Sequence, residues 1–541
     1  MKKELKTCCL VGINSKYIHP AMSVYTLYAN CNYKLDLFEY NIKDNVDEII
    51  DQIKDYDCIF LSVYIWNVEM IKEILSKLND KIINIGGPEA SFNKNLILEY
   101  KNNKVFITRG EGEVSTNEFI AYINGDLPLS KVTNLYYLDS SGEEIYQTTY
   151  KVPDITQIKS SIEYIKDYEN RVCYVESSRG CYFNCTYCLA STDKPVRYFP
   201  LEKVRDELLF LLEKKAKTIK FLDRSFNIRA DYANRILKFI KDHDNGVSTF
   251  QFEANGDSIT PETIDLLNSM RKNMIRLEIG IQSTNPNTIK AINRTQNFKK
   301  LKANILALRD NCVIHTDLIA GLPFEDYDSF KKSFNETFLL FTDELQLGFL
   351  KELKGTVLSK TKQIYGYKFQ ETSPFEVLEN NYISNEELEK IKKVETGVNK
   401  FYNYKIFNKT MKYLFIDKKL DPFDTFLNLT LYLEKTKPVN EYQFDELTSA
   451  FYEFLSKKVK TKDELLFIIK DDYLTKNRIK PKIWWKKDIS REERLEVYKD
   501  FASKYNLNID TLFNYGLLEK WNNKYLLIDY KNFKKYYLEK N

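Results

Sequence analysis

The stretch Glu176-Ser-Ser-Arg-Gly-Cys181-Tyr-Phe-Asn-Cys185-Thr-Tyr187-Cys188 sets three thiols at C-x3-C-x2-C spacing in one short loop. Three cysteinates hold three irons of a cubane cluster and leave the fourth open, and an open metal position lets a site bind and activate a substrate. The bland alternative is a structural zinc site. Closed zinc sites take four ligands, and only Cys173 lies nearby in a chain with 3 histidines.

Outward from this loop the chain alternates strand-like and helix-like segments. Val172 to Glu176, Thr218 to Leu222, Ser248 to Glu253, Ile275 to Ile279, Val313 to Leu318 and Asp343 to Leu347 read as strands. Helical patterns such as Pro261 to Met270 and Asp326 to Phe338 lie between them. Six βα units with right-handed crossovers predict an open parallel barrel, whose reaction centre faces the carboxyl ends of the strands. Upstream, Thr7 to Gly12, Leu35 to Glu39, Cys58 to Val63, Lys81 to Ile85 and Val105 to Thr108 read as strands of a doubly wound sheet, with helical patterns at Met22 to Ala29 and Val68 to Leu78. Ligands of such a sheet bind beyond the strand ends.

The cysteine loop, with Tyr187 just before its last cysteine, resembles that of the radical S-adenosylmethionine (SAM) superfamily. The resemblance implies that Cys181, Cys185 and Cys188 hold a [4Fe-4S] cluster whose free iron chelates SAM, and that one electron cleaves the sulfonium to a 5′-deoxyadenosyl radical. It extends to four strand ends: Asp223-Arg224-Ser-Phe-Asn227, Glu253, Glu278-Ile-Gly-Ile-Gln282-Ser283, and Gly321-Leu-Pro323-Phe-Glu325. By that resemblance Tyr187, Asp223, Arg224, Glu253, Glu278, Gln282, Ser283, Gly321 and Pro323 approach SAM. Read alone, each is also explained as an ion pair, a tight turn or a loop breaker.

Gly86-Gly87-Pro88-Glu89-Ala90 and Arg109-Gly110-Glu111-Gly112-Glu113 resemble the loops of the cobalamin-binding domain that precedes the barrel in one class of these enzymes. Paired glycines after a strand let backbone approach a bulky cofactor. The resemblance implies cobalamin contacts from Ser15, His19, Ser62, Tyr64, Trp66, Gly86, Gly87, Pro88, Glu89, Gly110, Glu111 and Gly112. No D-x-H-x-x-G occurs, so the usual lower axial histidine is missing. His19 stands as a weak candidate ligand, and Tyr64 with Trp66 as an apolar plate over that face.

Composition bounds the rest. At 541 residues the chain divides into several domains, and 43% hydrophobic with 29% charged residues is ordinary for a soluble globular protein. No apolar run reaches membrane-spanning length, and the basic start leads into a strand rather than a signal-peptide core, so the expected location is cytoplasmic with no membrane partner. Nine cysteines make no disulfide framework. Cys8, Cys9, Cys58, Cys173 and Cys312 read as buried hydrophobes.

The expected architecture is α/β throughout its first two parts. A Rossmann-like cobalamin-binding domain covers 1–135, a linker 136–170, a partial (β/α)6 radical SAM barrel 171–375, and a mostly helical C-terminal domain with a substrate or partner role 376–541. Residues 391–541 hold 31 Lys plus Arg against 22 Asp plus Glu, a balance of +9 against +4 for the whole chain. Within them Lys476-Asn-Arg-Ile-Lys480-Pro-Lys-Ile-Trp484-Trp485-Lys486-Lys487 mixes cations and aromatics. That mixture suits a nucleic acid, and equally a solvated face. Phe423, Phe426, Leu427 and Leu431 recur at helical spacing, although Leu427 to Leu433 also alternate as in a strand.

The leading expectation is a cobalamin-dependent radical SAM enzyme that methylates an unactivated carbon of a small molecule or peptide, with flavodoxin or ferredoxin as electron donor. The alternatives are a cobalamin-assisted rearrangement or cyclisation, a tRNA-modifying enzyme, and a redox sensor that only binds its cofactors.

Overall fold

The computed structural model describes residues 6–100, 103–146, 151–481, 485 and 489–540. The chain divides into two units, Met1–Ser333 with Leu347–Asn385, and Phe334–Gln346 with Glu386–Asn541. Among the described residues no helix is long and apolar enough to cross a membrane.

In the first unit β1 (Cys8–Asn14), β2 (Asp36–Asn41), β3 (Cys58–Ser62), β4 (Ile82–Gly86), β5 (Lys104–Thr108), β6 (Leu135–Leu138) and β7 (Glu144–Tyr146) form one sheet. Its order is β2-β1-β3-β4-β5-β6-β7. The first five strands are parallel. β1 and β3 are buried along their whole length, as expected where helices cover both faces of a parallel sheet. The order reverses between β1 and β3, so their carboxyl ends open a crevice at the switch point. Residues 136–146, expected within a linker, instead extend the sheet: β6 pairs antiparallel with β5, and β7 with β6. Burial of Leu135, Tyr136 and Tyr137 drives the addition, and Asp139 shapes the turn by accepting from the N–H groups of Ser141 and Glu143.

A second sheet runs through β8 (Val172–Val175), followed by the short strands β9 (Ser178–Arg179) and β10 (Arg197–Tyr198), which pair with each other. It continues through β11 (Thr218–Phe221), β12 (Thr249–Ala254), β13 (Ile275–Gln282), β14 (Val313–Ala320) and β15 (Glu344–Phe349). The strand order β15-β14-β13-β12-β11-β8 is the sequence order, and the pairs from β8 to β14 are parallel. This is the expected partial barrel. On β12 and β13 burial alternates strictly. Phe250, Phe252, Leu277 and Ile279 lie on the buried face. Gln251, Glu253, Arg276 and Glu278 lie on the other, with period two. A short hairpin, β16 (Lys368–Phe369) and β17 (Val377–Glu379), closes the unit.

The second unit is helical from Asn385 to Tyr515. The helix Pro422–Glu434, started by Asp421 accepting from the Asp424 N–H, settles the ambiguous leucine run in favour of a helix. Phe334 and Phe338 belong here because their rings pack against Phe423 and Phe426, so the expected boundary at 376 does not follow the packing. The chain then ends in an antiparallel sheet of β18 (Gly516–Trp521), β19 (Lys524–Asp529) and β20 (Lys534–Glu539), where a helical tail was expected. Of the basic aromatic stretch, Lys482, Trp484, Lys486 and Lys487 lie outside the described residues. Trp485 is buried, with its indole N–H donating to Glu519 at 3.2 Å.

Candidate active site

The cysteine loop is anchored from below by a buried acid. Asp223 accepts from the Ser177 N–H at 3.0 Å and from the hydroxyls of Ser177 at 2.6 Å and Ser178 at 2.5 Å. Burial lifts its carboxyl to about 6 against those bonds. The β9–β10 ribbon brackets residues 180–196. At Gly180, with φ of +90°, a Cβ would lie 2.9 Å from the Asp193 carbonyl. Three backbone bonds fix the loop: the Cys181 N–H to Asp193, the Thr186 N–H to Ile292 at 3.0 Å, and the Leu358 N–H to Thr186 at 2.8 Å.

Cys181 and Cys185 are buried and Cys188 is half-buried. Burial raises the Cys181 and Cys188 thiols, while neighbouring backbone N–H groups and the charge of Arg224 pull them down. Arg294 sits on the other side, 3.8 Å from the Cys185 sulfur, and donates to the Gly280 carbonyl at 2.6 Å. Among the described residues no three His, Cys, Asp or Glu side chains close on a single ion. Three neighbouring thiols with cations around them fit a multi-iron cluster, because positive charge favours the thiolate form that iron requires.

The expected SAM residues divide by what their side chains do. Asp223 and Ser283 are spent on neighbouring loops, Asp223 on the cysteine loop and Ser283 on the loop beyond β14: the Ser283 hydroxyl donates to Glu325 at 2.5 Å, and the Ser333 hydroxyl donates to the same carboxylate at 2.9 Å. Burial lifts Glu325 to about 7. Gly321, at φ of +87°, presents its carbonyl to the Tyr367 hydroxyl at 2.8 Å and to Asn380 at 3.0 Å, and Pro323 is buried beside it. Tyr187 lies within electrostatic reach of Arg294 and Cys185. Arg224 lies within such reach of Cys181, Cys188 and Glu253. The Glu253 carboxyl is raised by burial, which Arg224 and Lys220 oppose. Glu278 takes an ion pair from Lys220 at 2.9 Å and a hydrogen bond from Gln251. Gln282 adopts φ of +68° at a bulge, with its side-chain oxygen buried and unbonded.

In the N-terminal sheet, Trp66 and Asn67 reach from the end of β3 to the Ile13 carbonyl at the end of β1, and Asn67 also reaches that of Ser62. Tyr64 and Trp66 stack at 4.3 Å with their planes 7° apart, and Trp66 is 44% exposed. Gly87, at φ of +109°, holds the β4 loop so close that a Cβ would meet the Val63 carbonyl at 2.5 Å. Ser91 joins the two glycine loops, donating to Gly87 and accepting from the Gly110 N–H. Ser15, Gly86 and Gly112 are half-buried, whereas Pro88 and Gly110 are exposed. An aromatic plate flanked by glycine-rich loops whose glutamates are turned to other partners fits a broad planar ring such as a corrin.

His19 is already engaged: its Nδ1 lies 2.7 Å from the Tyr174 hydroxyl on β8, and burial, with help from Lys220, lowers its pKa. The carboxylates of Glu89 and Glu111, expected against the cofactor, are used elsewhere. Glu89 pairs with Lys354 at 2.7 Å, and Glu111 with Arg179 at 2.8 Å and with Arg197. Sequence reading missed Arg179, Arg197, Lys220, Arg294 and Lys354. Arg179 and Arg197 had a visible signal, since they flank the cysteine loop.

Sheet order, strand-end loops and the three thiols fit a radical SAM domain carried behind a B12-binding domain, and family models match both parts. The radical SAM superfamily matches residues 175–336 and the B12 binding domain residues 10–120, while a family described as a protein of unknown function, DUF4080, matches 363–538. The cobalamin-dependent radical SAM methyltransferase TokK of Streptomyces tokunonensis is 22% identical over 53% of this chain and 45% of its own length. The chain therefore spans about half of that relative. A probable threonylcarbamoyladenosine tRNA methylthiotransferase of Methanocaldococcus jannaschii is 20% identical over 72% of this chain and 86% of its own. Among solved structures, the cobalamin-dependent SAM radical enzyme OxsB with aqua-cobalamin and SAM bound superposes with a TM-score of 0.59 and 16% identity, covering 93% of this chain and 82% of that one.

Proposed function

We propose that this chain is a cobalamin-dependent radical SAM enzyme that methylates an unactivated carbon of a polar small molecule or peptide. The observation that carries the reading is the joining of two cofactor cradles in one unit, the thiol loop beyond β8 and the glycine loops beyond β4 and β5. When bound, the cluster supplies the electron that cleaves SAM, and cobalamin supplies a methyl carrier.

The chain's own residues have distinct tasks. Cys181, Cys185 and Cys188 hold iron. Arg294 and Arg224 place positive charge beside the thiolates and stabilise them. Glu253 and Gln282 offer oxygens at the strand ends to the amino and ribose groups of SAM, with Tyr187 packed beside the cluster and Gly321 and Pro323 shaping the adenine side. Tyr64 and Trp66 cover one ring face, and Ser15, Ser62, Gly86, Gly87, Pro88, Gly110 and Gly112 supply the edge. Gln251, Arg276 and the Lys220–Glu278 pair give the barrel's inner face hydrogen-bonding character suited to a polar substrate. The C-terminal unit serves substrate or partner binding, and an electron-transfer protein serves as reductant in the cytoplasm.

Anaerobically reconstituted protein incubated with SAM, reductant and extract fractions tests this. Both 5′-deoxyadenosine and S-adenosylhomocysteine are expected, because methylation consumes SAM in two ways. 5′-Deoxyadenosine without S-adenosylhomocysteine would instead support rearrangement or cyclisation. Absence of both products with every fraction would support a sensor. The tRNA reading has the 20% identical methylthiotransferase in its favour. Against it, Cys8, Cys9 and Cys58 lie buried at the amino ends of β1 and β3, away from the carboxyl ends where the ligand loops are. Salt-sensitive retention of RNA on the purified protein would revive it.

A further inference from the structure

The two arginines flanking the cysteine loop both point to one loop of the B12-binding domain. The Arg179 guanidinium reaches Glu111 at 2.8 Å, Glu113 at 2.7 Å and Glu176 at 2.8 Å. Arg197 pairs with Glu111 and, at 3.3 Å, with Asp193. These two arginines are register partners in the β9–β10 ribbon that closes the cysteine loop. Their side chains are 12% and 16% exposed, and those of Glu111 and Glu113 are 19% and 9%. Charges so far removed from water persist only when paired. Burial would raise the Glu111 carboxyl, but Arg197 and Arg179 outweigh it and hold it below the ordinary range. Glu111 and Glu113 thus meet the barrel's cations.

We propose that Glu111 and Glu113 are positioning residues that latch the cobalamin-binding loop onto the base of the cysteine loop, so that protein charge pairs set the spacing between the two cofactors. The latch is reinforced at the opposite edge of the barrel sheet, beyond β15, where Lys354 reaches the buried Glu89 at 2.7 Å and Phe92 packs over Gly355 so closely that a Cβ there would lie 2.5 Å from the ring. A third pair ties the start of the barrel: Arg171 donates twice to Glu39, at 2.8 Å each. Both glycine loops use glycine to approach the cofactor and glutamate to grip the barrel. Any shift of the loop beyond β5 must therefore move the cluster's support or break three ion pairs, Arg179–Glu111, Arg179–Glu113 and Arg197–Glu111. This inference rests on the reading above for the identity of the cofactors.

The test uses the full chain with Glu111→Gln, Arg197→Gln and the double variant. In cofactor-free protein, amide exchange at 109–113 and 178–182 should accelerate at least about tenfold in either single variant, and the double variant should be no worse than the poorer single one. In protein loaded with iron–sulfur cluster and cobalamin, magnetic coupling between the reduced cluster and paramagnetic cobalt should give one narrow distance in the parent. Glu111→Gln should give a broad distribution at unchanged occupancy of both groups. Unchanged exchange in Glu111→Gln, multiplying effects in the double variant, or an unaltered distance would each overturn the latch. The exchange arm needs no cofactor, so failure of SAM cleavage would sink the proposed function while leaving the latch standing.

Discussion

In the N-terminal sheet β1 and β3 are buried on every residue, whereas in the barrel β12 and β13 are buried on every second one. Both sheets are parallel and both arise from βα units. A sheet covered by helices on both sides keeps only its strand-end loops for chemistry. A sheet that curls leaves a concave face, and here that face carries Tyr174, Lys220, Gln251, Glu253, Arg276 and Glu278. One sheet therefore has its rim to offer a ligand, and the other its concave face. The buried acids differ in parallel. Glu39 and Glu111 of the first sheet are paired to arginines, which outweigh burial and hold their carboxyls low. Among the described residues Asp223 and Glu325 of the barrel are met by hydroxyl and N–H donors rather than arginines, and burial lifts them to about 6 and about 7.

The strongest way to break this comparison is to remove one site and watch the other. Replacing Cys181, Cys185 and Cys188 together by Ala should abolish the cluster's visible absorption and leave cobalamin binding intact; loss of both would mean that the rim of one sheet and the concave face of the other are not separate sites.

The pH dependence should have opposite signs in the two sheets. Raised carboxyls bind protons in the folded state that the unfolded chain releases, so their contribution falls as pH climbs from about 4 to about 7 and is constant above that. For Glu325 the shift corresponds to roughly 3 kcal/mol, and Glu325→Gln should flatten that slope. Glu39 and Glu111, held low, contribute stability above the ordinary carboxylate range that is lost as pH falls through their folded values. Segment-resolved hydrogen exchange across pH 3 to 8 checks both, and a common slope would contradict the contrast.

Smaller effects sharpen it. Gly87→Ala forces a side chain into a left-handed backbone against the Val63 carbonyl, a strain of about 2 kcal/mol. Cobalamin binding, followed by titration, should weaken about thirtyfold with iron content unchanged. Lys220→Met removes the partner of Glu278 on the barrel's inner face and should cost about 1–2 kcal/mol in denaturant unfolding. A matched Lys94→Met change at the exposed Glu144 pair should leave stability where it was.

Much of this was legible in residue order. The strand ends after β8 and β11 to β15 fall within a few residues of expectation because alternating apolar runs and turn residues mark them locally. The three cysteines stood out by their spacing, and the structure brings them together in one loop. Pairing between distant segments was not. Nothing local in Leu135-Tyr-Tyr-Leu138 says that it extends the sheet beyond β5, since a short apolar run commits to a strand only when an edge is available. The closing sheet left a trace that helical expectation overrode: Asn522-Asn523 between two leucine-rich runs is a hairpin turn, with Asn522 at φ of +51°. Glu89 and Glu111 of the glycine loops were expected as cofactor contacts, whereas the ion-pair partners of the loop glutamates, 66 to 265 positions away, are a property of the fold.

The most direct measurement is the electron paramagnetic resonance spectrum of the reduced, reconstituted cluster before and after adding SAM. An iron free of protein ligands gives a spectrum that shifts when the amino and carboxylate groups of SAM bind it, and 5′-deoxyadenosine follows. An unaltered spectrum, or a zinc ion bound by Cys181, Cys185 and Cys188 in place of iron, would contradict the account.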